Sequence, residues 1–226
     1  MIICICKIQI NLKMKEELNY VYTTKEEKLN IYTHGFGLVF SIIGFPFLIL
    51  KSLEFDDFWK AASLIIYAFS LIILYAASTF YHAAKNAKHR RKLNIFDHAA
   101  IYVLIAGTYS PYTLITLEGE TGWIVFGLTW FFALIGVILK LFFTGRFDKL
   151  STAMYLLMGW QVVFSIKPLM KNLPTEGLQL LFLGGIFYTI GAILYSIRKL
   201  PYNHAIFHVF VLLGSFSHFF SVYFFV

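Results

Sequence analysis

Two histidines one helical turn apart, His204 and His208 in the stretch HAIFH, open the last apolar segment of this chain. At i and i+4 they share one face of a helix, about 6 Å apart, the spacing of paired metal ligands. Two further residues with metal-ligand or proton-transfer chemistry, His82 and Asp97, stand at the ends of two other apolar segments. Three neutral imidazoles suit zinc and leave a fourth position for water, which Asp97 is placed to orient or deprotonate. Ser78, one turn before His82 on the same face, is a candidate donor to that water or to a substrate.

Taken singly, each residue has a plainer reading. A histidine at the end of an apolar helix commonly sits at the membrane interface. Asp97 alone fits a carboxylate at the positive end of a helix dipole, and Ser78 alone fits a small packing residue. Convergence at one depth is what favours the metal reading, because ionisable groups in lipid are expensive unless partnered. The other histidines rank lower. His89 lies in a basic loop and should be solvated; His98 adjoins Asp97 but points about 100° away around the helix, toward the interface. His34 begins the first apolar segment, as an interfacial or packing residue or a support for the site. His218, ten residues past His208 and so about 15 Å deeper, is too far to share its metal and is expected to form a hydrogen bond inside the bundle.

The elements that must position these residues are membrane helices. With 59% hydrophobic residues and a mean hydropathy of +0.72, the chain is not a soluble domain. Uncharged runs bounded by charge define segments at about Leu29–Leu50, Ala61–Ala84, Asn94–Leu117, Gly122–Phe143, Leu150–Met170, Gly177–Ile197 and Tyr202–Val226. Each approaches the roughly 20 residues that span about 30 Å of hydrocarbon. The fifth is the weakest, ending in Lys167 and Pro168. Short connections such as LEGET, TGRFDK, KNLPTE and RKLP make successive helices antiparallel neighbours. The predicted fold is all-α, a seven-helix transmembrane domain over residues 29–226 after an N-terminal segment, 1–28.

Charge orients it. Fifteen of the 19 Lys and Arg residues fall on one side if the N-terminus is cytoplasmic, leaving only Lys51, Lys60, Lys167 and Lys171 outside. The C-terminus is then outside. The net charge of +7 follows this topology code rather than a nucleic-acid surface, so no nucleic-acid partner is expected. The N-terminal MIICICKIQI is a poor signal peptide, interrupted by Lys7 and Gln9; Met14 is an alternative start, which would leave Cys4 and Cys6 outside the protein. With this topology His82, Asp97, His204 and His208 all enter from the cytoplasmic face.

At these residues the chain resembles the progestin and adipoQ receptor family, and within it the bacterial hemolysin III branch. The matching stretches are EEKLNIYTHGFG (Glu26–Gly37), STFYH (Ser78–His82), FDHAAIYVLIAGTYSP (Phe96–Pro111) and HAIFHVFVLLGSFSHF (His204–Phe219), in that order. The resemblance implies a seven-helix bundle with an inside N-terminus and zinc held by His82, His204 and His208, with Asp97 acting through water. It departs at His98, where the animal receptors carry an aromatic residue. The chain shows no large N-terminal receptor domain, so adiponectin binding is not carried over.

Three functions are compatible with that reading. The first is a zinc-dependent hydrolase of a lipid amide or ester, ceramidase-like by resemblance. Asp97 would be general base and Ser78 a stabiliser of developing charge, with membrane lipids as the partners and a bacterial inner (plasma) membrane as the setting. The second is a non-catalytic membrane or lipid-homeostasis sensor with zinc as a structural clamp. The third, pore formation, ranks lowest, because helices apolar all round offer no polar stripe to an aqueous channel.

Overall fold

The computed structural model describes residues 22–117, 119–144, 147–197 and 199–226. The readings of Met14 as a start, of Cys4 and Cys6, and of most of the N-terminal segment lie outside the described residues. Among the described residues the chain is helical with no strand, and seven stretches are long and apolar enough to cross a membrane. The protein is a multi-pass integral membrane protein.

We number the helices α1 (Thr24–Ser52), α2 (Phe58–Ala83), α3 (Ala87–Pro111), α4 (Gly119–Phe143), α5 (Asp148–Gly159), α6 (Ile166–Asn172), α7 (Thr175–Ser196) and α8 (Asn203–Phe225). α3 continues as a π-helical turn, Tyr112–Leu117. α5 and α6, joined by a 3₁₀ turn at Gln161–Ser165, form the fifth span together. The weak fifth segment of the sequence is therefore a broken helix. The Tyr109 hydroxyl repairs the break, donating to Gly159 O at 2.8 Å and accepting from Val162 N–H at 2.7 Å.

Charge does not mark the ends of the helices. α3 starts at Ala87, not Asn94, because Asn86 caps it from the Lys88 and His89 N–H groups at 3.0 and 3.2 Å. The basic run at its start, AKHRRK, is helical and mostly exposed. α3 is the most enclosed span, with 78% of its apolar window buried, against 17% for the fifth span. The bundle thus wraps around α3, with α2 and α8 half or more buried beside it.

Small residues set the approach of neighbouring helices. A Cβ on Gly37 of α1 would stand 2.4 Å from the Tyr75 ring and 2.8 Å from Leu212, so α1 sits tightly against both α2 and α8. A Cβ on Gly184 of α7 would overlap the His218 imidazole at 2.3 Å. His218 donates from Nε2 to the Leu181 carbonyl at 3.0 Å, the interior hydrogen bond expected of it.

Candidate metal centre

The site forms where α1, α3 and α8 begin and α2 ends. Thr23 fixes the start of α1 with a capping box: its hydroxyl accepts from the Glu26 N–H at 3.3 Å, and Glu26 Oε2 accepts from the Thr23 N–H at 2.8 Å. That start places Glu27, Asn30 and His34 on the face turned to α2 and α8. α8 is delivered by a left-handed residue, Tyr202 (φ 58°). The Asn203 side chain secures the corner by donating to the Tyr195 carbonyl at 3.0 Å. His204 and His208 then lie in the first two turns of α8.

His82, His204 and His208 are all buried, and one ring nitrogen from each lies within 4.8 Å of the others. The Nε2 atoms of His82 and His204 are 3.1 Å apart. Nitrogens on a tetrahedral zinc at 2.0–2.1 Å would be about 3.3 Å apart, a separation that the His82–His204 pair already has to within a few tenths of an ångström.

The other nitrogen of each ring is also engaged. His82 Nδ1 is 2.8 Å from Glu27 Oε2, with the Asn30 amide a longer neighbour at 3.4 Å. His204 Nδ1 is 2.9 Å from the Tyr22 hydroxyl, and His208 Nδ1 is 3.3 Å from Thr33 Oγ1. An ionised carboxylate only accepts, so His82 carries its proton on Nδ1. The Thr33 hydroxyl already donates to the Leu29 and Asn30 carbonyls at 2.8 and 3.1 Å, so toward His208 it accepts as well. His82 and His208 therefore turn unprotonated Nε2 atoms away from these outer partners, and His204 Nε2 faces that of His82. The 3.1 Å contact between the His82 and His204 nitrogens needs a proton or a cation between them, and histidines held by outer hydrogen bonds in this way fit a metal.

Asp97 is buried on α3, within electrostatic reach of His82 and facing Ser78. It is not one of the group whose donor atoms converge within 4.8 Å. The Ser78 hydroxyl is fully buried and closes no hydrogen bond of normal geometry among the described residues. His34 stacks on His208, with ring centroids 3.5 Å apart, and so supports the site directly. His89 is exposed, as expected. His98 is corrected: it is half-buried and helps line the cavity, because Tyr155 of α5 packs there and donates to its carbonyl at 3.0 Å.

Beside the histidines lies a cavity of about 150 Å³. Asp97, His204 and His208 line one end, and Trp160, Tyr188 and His218 line its interior. It follows α8 from His208 to His218, ten residues or about 15 Å. Its walls are mostly apolar and aromatic, suited to a hydrocarbon chain.

The sequence reading missed Tyr22, Glu27 and Thr33. The pattern that could have shown Glu27 is its spacing, three and seven residues before Asn30 and His34 on one helical face.

Comparison with known proteins agrees with the motifs. The family model described as "Haemolysin-III related" matches residues 22–219. The chain is 44% identical over 205 residues to the hemolysin-3 homolog of Bacillus subtilis (strain 168), covering 91% of this chain and 96% of the relative. It is 45% identical over 202 residues to hemolysin-3 of Bacillus cereus, covering 89% and 92%. A human relative, monocyte to macrophage differentiation factor, is 30% identical over 210 residues, covering 90% of this chain and 86% of that one. No solved structure matches the chain significantly. The chain belongs to the haemolysin-III-related family of membrane proteins.

Proposed function

We propose that this protein is a zinc-dependent hydrolase of an amide or ester linkage in a membrane lipid, with its N-terminus cytoplasmic and the plasma membrane as its location. The observation that carries this reading is a buried three-histidine cluster opening on an elongated apolar cavity. His82, His204 and His208 would hold the zinc through Nε2. Bound there, zinc would supply Lewis-acid polarisation of a carbonyl and a water acidic enough to react near neutral pH.

This chain's own residues supply the rest. The cavity walls along α3, α7 and α8 hold the lipid chain and exclude bulk water, which strengthens every polar contact at the site. Asp97 takes the proton of the attacking water on a carboxylate oxygen and returns it to the departing amine or alcohol. Its place outside the donor group supports a role through water. The buried Ser78 hydroxyl, facing Asp97, donates to the oxygen on which charge develops.

A second reading, a sensor with zinc as a structural clamp, is favoured by the way the centre ties α1, α2 and α8 together. Pore formation has only the names of the Bacillus relatives in its favour.

The test is metal analysis and lipid-release assay of purified wild type, His208→Ala and Asp97→Ala. Wild type should carry about one zinc per chain and release lipid products. His208→Ala should lose the metal, and Asp97→Ala should keep most of it while losing turnover. Metal-free wild type would sink the site; metal without turnover across amide and ester lipids would favour the clamp. Dye leakage from vesicles with neither metal nor turnover would favour the pore.

A further inference from the structure

Of the four side chains that engage the outer nitrogens of the histidines, Glu27 alone is an acid, and it is held from both sides. Its Oε2 meets His82 Nδ1 at 2.8 Å, and its Oε1 pairs with the Arg90 guanidinium. Arg90 is itself fixed. Its guanidinium carbon lies 4.7 Å from the centre of the Tyr81 ring, and Nη1 reaches the carbonyls of His82 and Ala84 at 3.5 Å. Those are among the carbonyls left without helical partners where α2 ends. One arginine at the start of α3 thus caps α2 just beyond His82 and holds the carboxylate that holds the His82 ring.

We propose that Glu27, braced by Arg90, is a positioning residue of the metal centre: it fixes the tautomer and orientation of His82 and sets how tightly the site holds its metal. The inference rests on the metal-site reading above. The competing role is structural. Glu27 lies in the first turn of α1, where an acid complements the helix dipole, and its pair with Arg90 is partly exposed and therefore contributes little to stability. A structural acid would affect folding and leave metal affinity alone. A carboxylate partner of a ligand histidine typically changes affinity by about 10–100-fold.

The experiment compares full-length wild type, Glu27→Gln, Arg90→Gln and Glu26→Gln in detergent. Zinc affinity is measured by chelator competition, the ligand field by the visible spectrum of the cobalt(II) form, and stability by thermal unfolding of the metal-free protein. Glu27→Gln keeps the shape and should bind zinc about 10–100-fold more weakly, with a shifted cobalt spectrum and little change in metal-free unfolding. Arg90→Gln should weaken zinc less, because the carboxylate stays. Glu26→Gln, which touches only the cap of α1, should alter unfolding and not affinity. Glu27→Gln with wild-type affinity and spectrum overturns the proposal while leaving the metal site standing. If Glu27→Gln does not fold, an unchanged affinity and spectrum in Arg90→Gln overturns it. Wild type that binds neither zinc nor cobalt removes the metal reading itself.

Discussion

His34 of α1 lies face to face with His208 of α8, the ring centroids 3.5 Å apart and the planes within 12°. The edge of His34 meets the Tyr75 ring at 5.1 Å, so it is wedged between α2 and a donor histidine. An aromatic pair contributes about 0.5–1.5 kcal/mol beyond burial, which converts to about 2–10-fold in affinity if it orients the donor. His34→Leu should weaken zinc binding by that factor, and His34→Phe should keep most of it. Chelator competition on both variants checks this; equal losses would show that the ring's nitrogens, not its face, matter.

Packing between α7 and α8 has little slack. Gly184→Ala would place a methyl 2.3 Å from the His218 ring, forcing the helices apart at a cost of about 1–3 kcal/mol. Gly184→Ala combined with His218→Ala should recover much of the loss. Thermal unfolding in detergent measures both; strict additivity would mean that the two residues do not share the contact.

Tyr202 turns the chain into α8 with a backbone that L side chains disfavour by about 1–2 kcal/mol. Glycine removes that strain but adds freedom to the unfolded chain of about 0.5–1 kcal/mol, so Tyr202→Gly should stabilise by about 0.5–1 kcal/mol. A lower melting temperature would mean that the half-exposed phenol contributes more than its backbone loses.

The seven spans were legible because lipid demands long uncharged helices, and no soluble fold writes so direct a signal. Convergence of His82, His204 and His208 was legible too, since alternating helices bring the end of α2 and the start of α8 to one face. The outer hydrogen bonds were not. Glu27 stands between charges in KEEK and reads as a solvated acid; only packing of α1 against α2 turns it to His82. The misplacement of His98 has a similar cause, because the sequence does not say that α5 will pack over that side of α3.

The sidedness of the site can be checked directly. With Cys4→Ser and Cys6→Ser as background, cysteine replaces exposed Lys88, in the first turn of α3, or exposed Lys171, at the end of the fifth span. An impermeant thiol reagent on intact cells should label position 171 and spare position 88 until the membrane is opened. The reverse pattern would place the histidines at the outer face.

The wide separation of the donors governs when the protein matures. His82 and His204 are 122 residues apart, and the residues that brace all three rings come from the first helix and the residues just before it. At about 5–20 residues per second, the ribosome needs at least about 6 s between the first donor and the second. Until the last span is inserted and docks beside α1, a growing chain holds one donor of three and no centre at all. The three-histidine cluster can therefore close only at the end of assembly, and a chain cut short before its last helix has no means of completing it.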